Sequence, residues 1–332
     1  MTNSQSKKIS LVRPAFVNYT HRNFDQATGF LEDFGLVPCH ESEDKIYYRG
    51  YGTDPFVYCA QKGDRDEFGG AGFVVESEAD LEYASESLPN ATAVYHLDAP
   101  GAGKGVTFRD PIDGFAFHLV WDQSPNKAQG PQLPQLNYNL PTEKHRIKET
   151  KRFGKGPAPV HKLGHFGLCV TDFEAFYEFF TAHFNFHPSD FIYDESGRNI
   201  TVFCRLDRGS TPVDHHCFFF FEGPKAHVHH ASFETHDFDI QTIGHDWLRE
   251  KGYTNCWGVG RHVLGSQIFD YWFDPSGFIV EHYVDGDLFD NTIPTNRTLA
   301  GPDNLHIWGK SDLRDSFKGR FQATVGHLLT RL

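Results

Sequence analysis

Residues 260–283 read "GRHVLGSQIFDYWFDPSGFIVEHY". The pattern is a strand, a tight turn at Asp274-Pro275-Ser276-Gly277 and a second strand. The second strand sets Glu281 directly after Ile279 and Val280. A carboxylate among aliphatic neighbours is costly to bury unless a cation or hydrogen-bond donors receive it. Either Glu281 points to water or it holds a metal. The same strand, Asp-Pro turn and strand occur at residues 106–122, "VTFRDPIDGFAFHLVWD". The chain therefore contains a repeat.

The repeat extends over both halves. "AFVNYTHRNFDQATGFLEDFGLVPCHE" starts at Ala15 and "HFGLCVTDFEAFYEFFTAHFNFHPSDF" at His165. Each opens on an alternating strand, followed by a polar turn and a helix. Phe24, Ala27, Phe30 and Leu31 mark one helix face, and Phe173, Phe176, Tyr177 and Phe180 the other. Strand-like runs such as "DKIYYRGYG", "PFVYCAQ", "NITVFCRLD" and "HHCFFFFE" fill the intervals. This predicts an α+β fold of four β-α-β-β-β modules, two per half, paired into two open-barrel domains. "SPNKAQGPQLPQLNYNLPTEKHRIKETKRFGKGPAP" has no apolar period and reads as a linker. The expected divisions are a first domain at 1–123, a linker at 124–159, a second domain at 160–291 and an extension at 292–332.

With 332 residues, 39% of them hydrophobic, the chain can build two cores. A formal net charge of −13 and the lack of a long basic run argue against nucleic acid, whose phosphates demand clustered Lys and Arg. No apolar stretch is long enough to span a bilayer, and "MTNSQSKKIS" lacks the core of a signal peptide. Cys39, Cys59, Cys169, Cys204, Cys217 and Cys256 are dispersed, which fits reduced thiols in the cytoplasm.

The chain has twenty histidines, and thirteen of them crowd between His161 and His282. Three residues on separate strands stand out there: His165, His230 and Glu281. Two imidazoles and a carboxylate make the facial set of non-haem iron(II), which leaves adjacent coordination positions open. Aligning the halves sets Ala15 against His165, Gly70 against His230 and His118 against Glu281. A site built on these three thus belongs to the second half alone. The residues by themselves leave alternatives. His165 can be satisfied by a backbone carbonyl, Glu281 can be solvated, and His229 competes with His230, although strand alternation sends those two to opposite faces. His118 reads as a packing histidine. The Phe218–Phe221 run reads as a buried strand with one face free to line a pocket.

"GHFGLCVTD", "VHHASFETHD", "GVGRH" and "YWFDPSGFIVEHY", with "LVRPAFVNY" and "KIYYRG" in the first half, carry a family likeness. They resemble the type I extradiol ring-cleavage dioxygenases of the vicinal oxygen chelate superfamily. The homoprotocatechuate 2,3-dioxygenases and 2,3-dihydroxybiphenyl 1,2-dioxygenases are similar over both halves. The resemblance implies a mononuclear iron(II) site held by His165, His230 and Glu281, with manganese(II) suited to the same ligands. It makes His216 the acid/base histidine, His262 a histidine beside the substrate, and Tyr271 a hydrogen-bond partner of a catechol oxygen. It implies cleavage of a catechol-type ring next to its paired hydroxyls by dioxygen, to a muconic semialdehyde-type product, in a homo-oligomer. Two positions depart from the family pattern. Asp270 stands where an apolar residue precedes the tyrosine, and Trp257 where the homoprotocatechuate branch has a substrate-binding arginine, which points to an uncharged, bulky catechol. Two rivals share the fold: a glyoxalase-like metal-dependent lyase or isomerase, and a non-catalytic binding protein of the bleomycin-sequestering kind. The 292–332 extension is expected to cover the site mouth or to make subunit contacts.

Overall fold

The computed structural model describes residues 7–127, 133, 137–301 and 304–309. The first half contains β1 (Leu11–His21), α1 (Phe24–Asp33), β2 (Val37–Glu41), β3 (Lys45–Arg49) and β4 (Tyr58–Lys62). The pattern then repeats as β5 (Glu67–Val75), α2 (Glu78–Ser87), β6 (Tyr95–His96), β7 (Lys104–Arg109) and β8 (Ala116–Trp121). The second half begins with β9 (Lys162–Val170), α3 (Phe173–His183), β10 (Phe186–Tyr193), β11 (Asn199–Leu206), β12 (Val213–Asp214) and β13 (Phe218–Glu222). It continues with β14 (His227–Glu234), α4 (Phe238–Glu250), β15 (Thr254–Arg261), β16 (Ile268–Phe273) and β17 (Ile279–Val284). Two short strands follow, β18 (Leu288–Phe289) and β19 (Asn296–Leu299).

Each half closes into one large sheet, ordered β2-β3-β4-β1-β5-β8-β7-β6 in the first and β15-β16-β17-β14-β9-β13-β11-β10-β19 in the second. In both, the module-opening strands pair antiparallel at the centre, β1 with β5 and β9 with β14. This is the vicinal oxygen chelate fold, with four β-α-β-β-β units. Three of the four described helices, α2, α3 and α4, begin at a side-chain cap. Ser77, Asp172 and Asp237 accept the backbone N–H of Asp80, Ala175 and Ile240 respectively. Helix α3 buries Phe173, Phe176 and Phe180.

The phenylalanines do much of the joining. Phe180 lies 4.8 Å from Phe117, Phe166 lies 5.7 Å from Phe73, and Phe184 lies 5.7 Å from Phe108, so rings of the two halves share one core. Polar contacts add to this seam. His282 donates Nε2–H to the Phe34 carbonyl at 2.7 Å and its ring stacks on Phe34 at 3.7 Å.

Strand register corrects the repeat alignment by one residue. In the second half Ser232 lies opposite both His165 and Glu281. In the first half Gly72 lies opposite both Phe16 and His118. The counterpart of His165 is therefore Phe16 and not Ala15. Matching Phe16 to Phe166 misled the eye, whereas counting back from the helix starts at Phe24 and Phe173 gives the structural register. The rings of Phe16, Phe56 and His118 fill the equivalent place in the first half. His118 is committed there, since Nε2 donates to Gly69 O at 3.1 Å and Nδ1 accepts from Thr107 Oγ1 at 2.9 Å.

Candidate metal centre

Four central strands of the second sheet put one rung of side chains on the same face. Tyr271 on β16 lies opposite Glu281 on β17, Glu281 opposite Ser232 on β14, and Ser232 opposite His165 on β9. His230 stands two residues before Ser232, on the same face. The ligand set is thus assembled by register from three strands that are distant in sequence.

The donor atoms converge. His165 Nε2 lies 3.1 Å and His230 Nε2 3.2 Å from Glu281 Oε2, and the two Nε2 atoms are 3.2 Å apart. Ligands bound side by side on one ion at about 2.1 Å are about 3 Å from each other, so these spacings fit a metal. The chemistry of the site agrees. Glu281 is fully buried, yet neither carboxylate oxygen receives a hydrogen bond. Burial pushes its carboxyl up, and the two imidazoles more than offset this, holding it well below the ordinary carboxylate range. Burial lowers the His230 imidazole below its ordinary value, with Glu281 opposing. Two imidazole nitrogens converging on a buried carboxylate that has no hydrogen-bond donor make a candidate cation site.

Small residues and a bulge keep the centre compact. A Cβ on Gly167 would come within 1.9 Å of the Phe219 ring, which itself lies 5.0 Å from the His230 ring. At His229 the β14 register slips against β9, between Val228 and His230. The expected alternation therefore fails. His229 does not turn to the opposite face; its Nδ1 sits 2.7 Å from His230 Nδ1 and orients that ring.

Three further predicted residues stand near the ligands. The His216 ring is 4.2 Å from that of His165, and burial, followed by the neighbouring His165, lowers it well below its ordinary value. His262 Nδ1–H donates to the Leu305 carbonyl at 2.7 Å, so its Nε2 is the acceptor for the Tyr271 hydroxyl at 2.8 Å. Burial takes His262 down to about 4 and pushes the Tyr271 phenol well above its ordinary range. His262 is therefore neutral around pH 7.

The two departures from the family pattern have local accounts. Asp270 lies in the strand interior next to Tyr271, facing away from the rung. Its carboxylate takes hydrogen bonds from His245 Nδ1 at 2.9 Å, Asn255 Nδ2 at 3.0 Å and Trp272 Nε1 at 2.7 Å. It anchors the back of β16 and leaves Tyr271 undisturbed. Trp257 stacks near-parallel on Tyr271 with centroids 5.7 Å apart, and its indole N–H donates to Gly309 O at 3.1 Å. The segment around Leu305–Gly309 lies along β15, bridged at Arg261 and Trp308, and so covers this side of the site. Residues 310–332 of the extension lie outside the described residues.

Residues 162–282 match the family described as Glyoxalase/Bleomycin resistance protein/Dioxygenase superfamily. The matched residues include His165, His230 and Glu281. Metapyrocatechase 2 of Cupriavidus necator is 33% identical over 116 residues, covering 33% of this chain and 34% of that protein, so the chain matches about a third of this relative's length. Metapyrocatechase of Pseudomonas sp. (strain CF600) is 24% identical over 288 residues, 84% of this chain and 88% of that one. Among solved structures, the Mn(II)-bound glyoxalase from Novosphingobium aromaticivorans superposes with a TM-score of 0.76 at 21% identity, covering 95% of this chain and 99% of that one. Homoprotocatechuate 2,3-dioxygenase from Brevibacterium fuscum gives 0.75 at 17% identity, covering 92% and 91%. These structural likenesses establish the fold.

Sequence reasoning missed His229, whose Nδ1 meets that of His230. The His229-His230 doublet was the available signal, and reading it as one functional and one opposite-face residue discarded the second member.

Proposed function

We propose that this chain is an iron(II)-dependent extradiol dioxygenase that opens a catechol-type ring beside its vicinal hydroxyls, giving a muconic semialdehyde-type product. The observation that carries the proposal is the buried convergence of His165, His230 and Glu281 on one side of a point, with His216, His262 and Tyr271 around it. Relatives named metapyrocatechase support the same reading. Manganese(II) suits the same donors.

An iron(II) ion held by the three ligands supplies the Lewis-acid and redox chemistry, lowering the pKa of a bound phenol and giving catechol and dioxygen a common meeting point. The chain's own residues do the rest. Tyr271 and His262 form a hydrogen-bonded pair that orients a catechol oxygen. His216 stands on the other side of the ligand set, beside His165, as the group that takes or returns a proton. Phe219, Phe203 and Trp257 exclude water from the face above the ligands. Arg261, the cation nearest to His262 in sequence, is committed to Asp285 at 2.8 Å and to the Ser266 carbonyl at 2.7 Å. A carboxylate-bearing side chain on the substrate would meet the Trp257 indole instead, so the substrate class is an uncharged, aryl- or alkyl-substituted catechol.

In this reading 160–291 is the catalytic domain and 1–123 a metal-free companion. The 124–159 stretch is the linker, and 292–332 is an extension that shields the mouth within a homo-oligomer. Six free thiols accord with a cytoplasmic protein. Among the described residues no helix is long and apolar enough to cross a membrane. The test is anaerobic loading with iron(II), then catechol, then air. A yellow product with matched dioxygen uptake supports the proposal. Metal-dependent turnover of a thiol adduct without dioxygen would replace it with the lyase or isomerase reading.

A further inference from the structure

Behind His216 runs a line of buried groups that the reading above does not use. Asp190 Oδ2 lies 2.7 Å from His215 Nε2, and His215 Nδ1 lies 3.0 Å from His216 Nδ1. We propose that Asp190 and His215 are positioning residues that set the tautomer of His216, so that its imidazole presents an unprotonated Nε2 toward the side of the candidate metal ligands. The role in turnover rests on the dioxygenase reading, whereas the tautomer itself does not.

The assignment follows from donors and acceptors. Asp190 is only 4% exposed, and Asn296 Nδ2 donates to its Oδ1 at 2.6 Å. Burial raises its carboxyl, and the hydrogen bonds from His215 and Asn296 outweigh this and hold it below its ordinary value. An ionised carboxylate only accepts, so His215 Nε2 must carry a proton. The proposed line gives His215 no second proton, leaving its Nδ1 bare. The short contact to His216 Nδ1 then requires that nitrogen to be the donor. With its single proton placed there, His216 keeps a lone pair on Nε2, for which the described residues offer no partner.

The line cannot easily rearrange. The backbone N–H of His215 donates to Asp287 O at 2.9 Å, and its carbonyl accepts from Ser189 Oγ at 2.6 Å. Phe289 packs edge-on against the His215 ring at 4.9 Å. On the other flank a Cβ built on Gly265 would sit 2.9 Å from His215 Nδ1, so Gly265 leaves room for that nitrogen. Asp190 is held by strand pairing, opposite Asn296 of β19.

Asp190→Asn inverts this line without changing its shape. The new side chain's oxygen stays with Asn296 Nδ2, and its amide N–H₂ faces His215 Nε2. His215 must then accept at Nε2 and donate from Nδ1, and His216 becomes the Nε2–H tautomer. Long-range ¹H–¹⁵N spectra of histidine-labelled full-length protein, loaded with diamagnetic zinc(II), read this directly. We expect the Nδ1–H form of His216 in the natural protein and the Nε2–H form in Asp190→Asn. In ring-cleavage assays the variant should lose roughly 10²-fold or more in kcat with KM changed less than about threefold, the range of a misdirected acid/base group. A natural protein whose His216 is Nε2–H, or a variant whose His216 stays Nδ1–H, would overturn the proposal. The first spectrum needs no variant, so a misfolded Asp190→Asn does not leave the question open. Absence of ring cleavage by the natural protein, with the expected tautomers observed, would instead remove the dioxygenase reading alone.

Discussion

Glu281→Gln isolates the charge that defines the candidate centre. The side chain is wholly buried, and the nearest polar atoms are two imidazole nitrogens at 3.1 and 3.2 Å. Without a cation the buried carboxylate has the two imidazoles as its neighbours; with one, it becomes an anionic ligand. Metal at a hundredfold excess over its dissociation constant stabilises the native state by about 2.7 kcal/mol. At about 2–4 °C per kcal/mol for a domain of this size, the melting temperature should rise by roughly 5–11 °C. Glutamine keeps the shape and removes the charge. If affinity falls about a hundredfold, the same metal concentration only equals the new dissociation constant, and the gain drops to about 0.4 kcal/mol, near 1 °C. The metal-free variant should melt no higher than the metal-free natural protein, because the two imidazoles that hold the Glu281 carboxyl low lose their anionic partner. The assay is anaerobic thermal unfolding with and without iron(II) or manganese(II). A variant that keeps the natural metal-induced shift would refute the reasoning, and so would a natural protein that shows none.

Three further predictions test the packing, the electrostatics and the specificity. Gly167→Ala forces a methyl group into the Phe219 ring, and should cost about 1–3 kcal/mol in urea unfolding and weaken the metal-induced melting shift. A stability within experimental error of the natural protein would show that Phe219 can move freely. Asp274, under the His21 side of the seam, is pushed up to about 7 by burial, while His21 is driven down to about 4 by burial. A raised carboxyl costs stability as pH rises from about 4 to 7, and a depressed histidine costs stability as pH falls from about 6.5 to 4. The two slopes therefore oppose each other in the natural protein. Asp274→Asn should leave only the histidine slope and gain on the natural protein with rising pH, by at most roughly 4 kcal/mol at pH 8. Urea titrations at pH 5 and pH 8 showing a constant difference would contradict this. Trp257→Arg should raise kcat/KM for carboxylate-bearing catechols relative to unsubstituted catechol by about tenfold or more, the scale of one charge-assisted hydrogen bond; an unchanged ratio would place the substrate's side chain elsewhere.

The repeat, its strand–helix order and the half that carries the candidate ligands were legible because hydrophobic period and Asp-Pro turns are local signals. His165 and Glu281 stood out as polar residues beside apolar neighbours, and His230 as one of a histidine doublet. Exact register was not legible. The one-residue slip from Ala15 to Phe16 changes which side chain faces the interior, yet both residues sit in the same apolar run. The bulge at His229 is likewise silent in a sequence, since it depends on how β14 meets β9. Asp190 looked like an ordinary polar residue after Pro188 and Ser189, and only pairing across β10, β19 and the segment before β13 gives it His215 and Asn296 as partners.

By itself, the order of residues determined the class of fold and the chemical types available to the site, because periodicity, caps and turns act between near neighbours. Only the tertiary structure decided which nitrogen faces which oxygen, which histidine of each doublet points where, and why the first half has aromatic rings where the second has candidate ligands. Those outcomes hang on contacts between strands far apart along the chain, and a shift of one residue in pairing reverses the face a side chain presents.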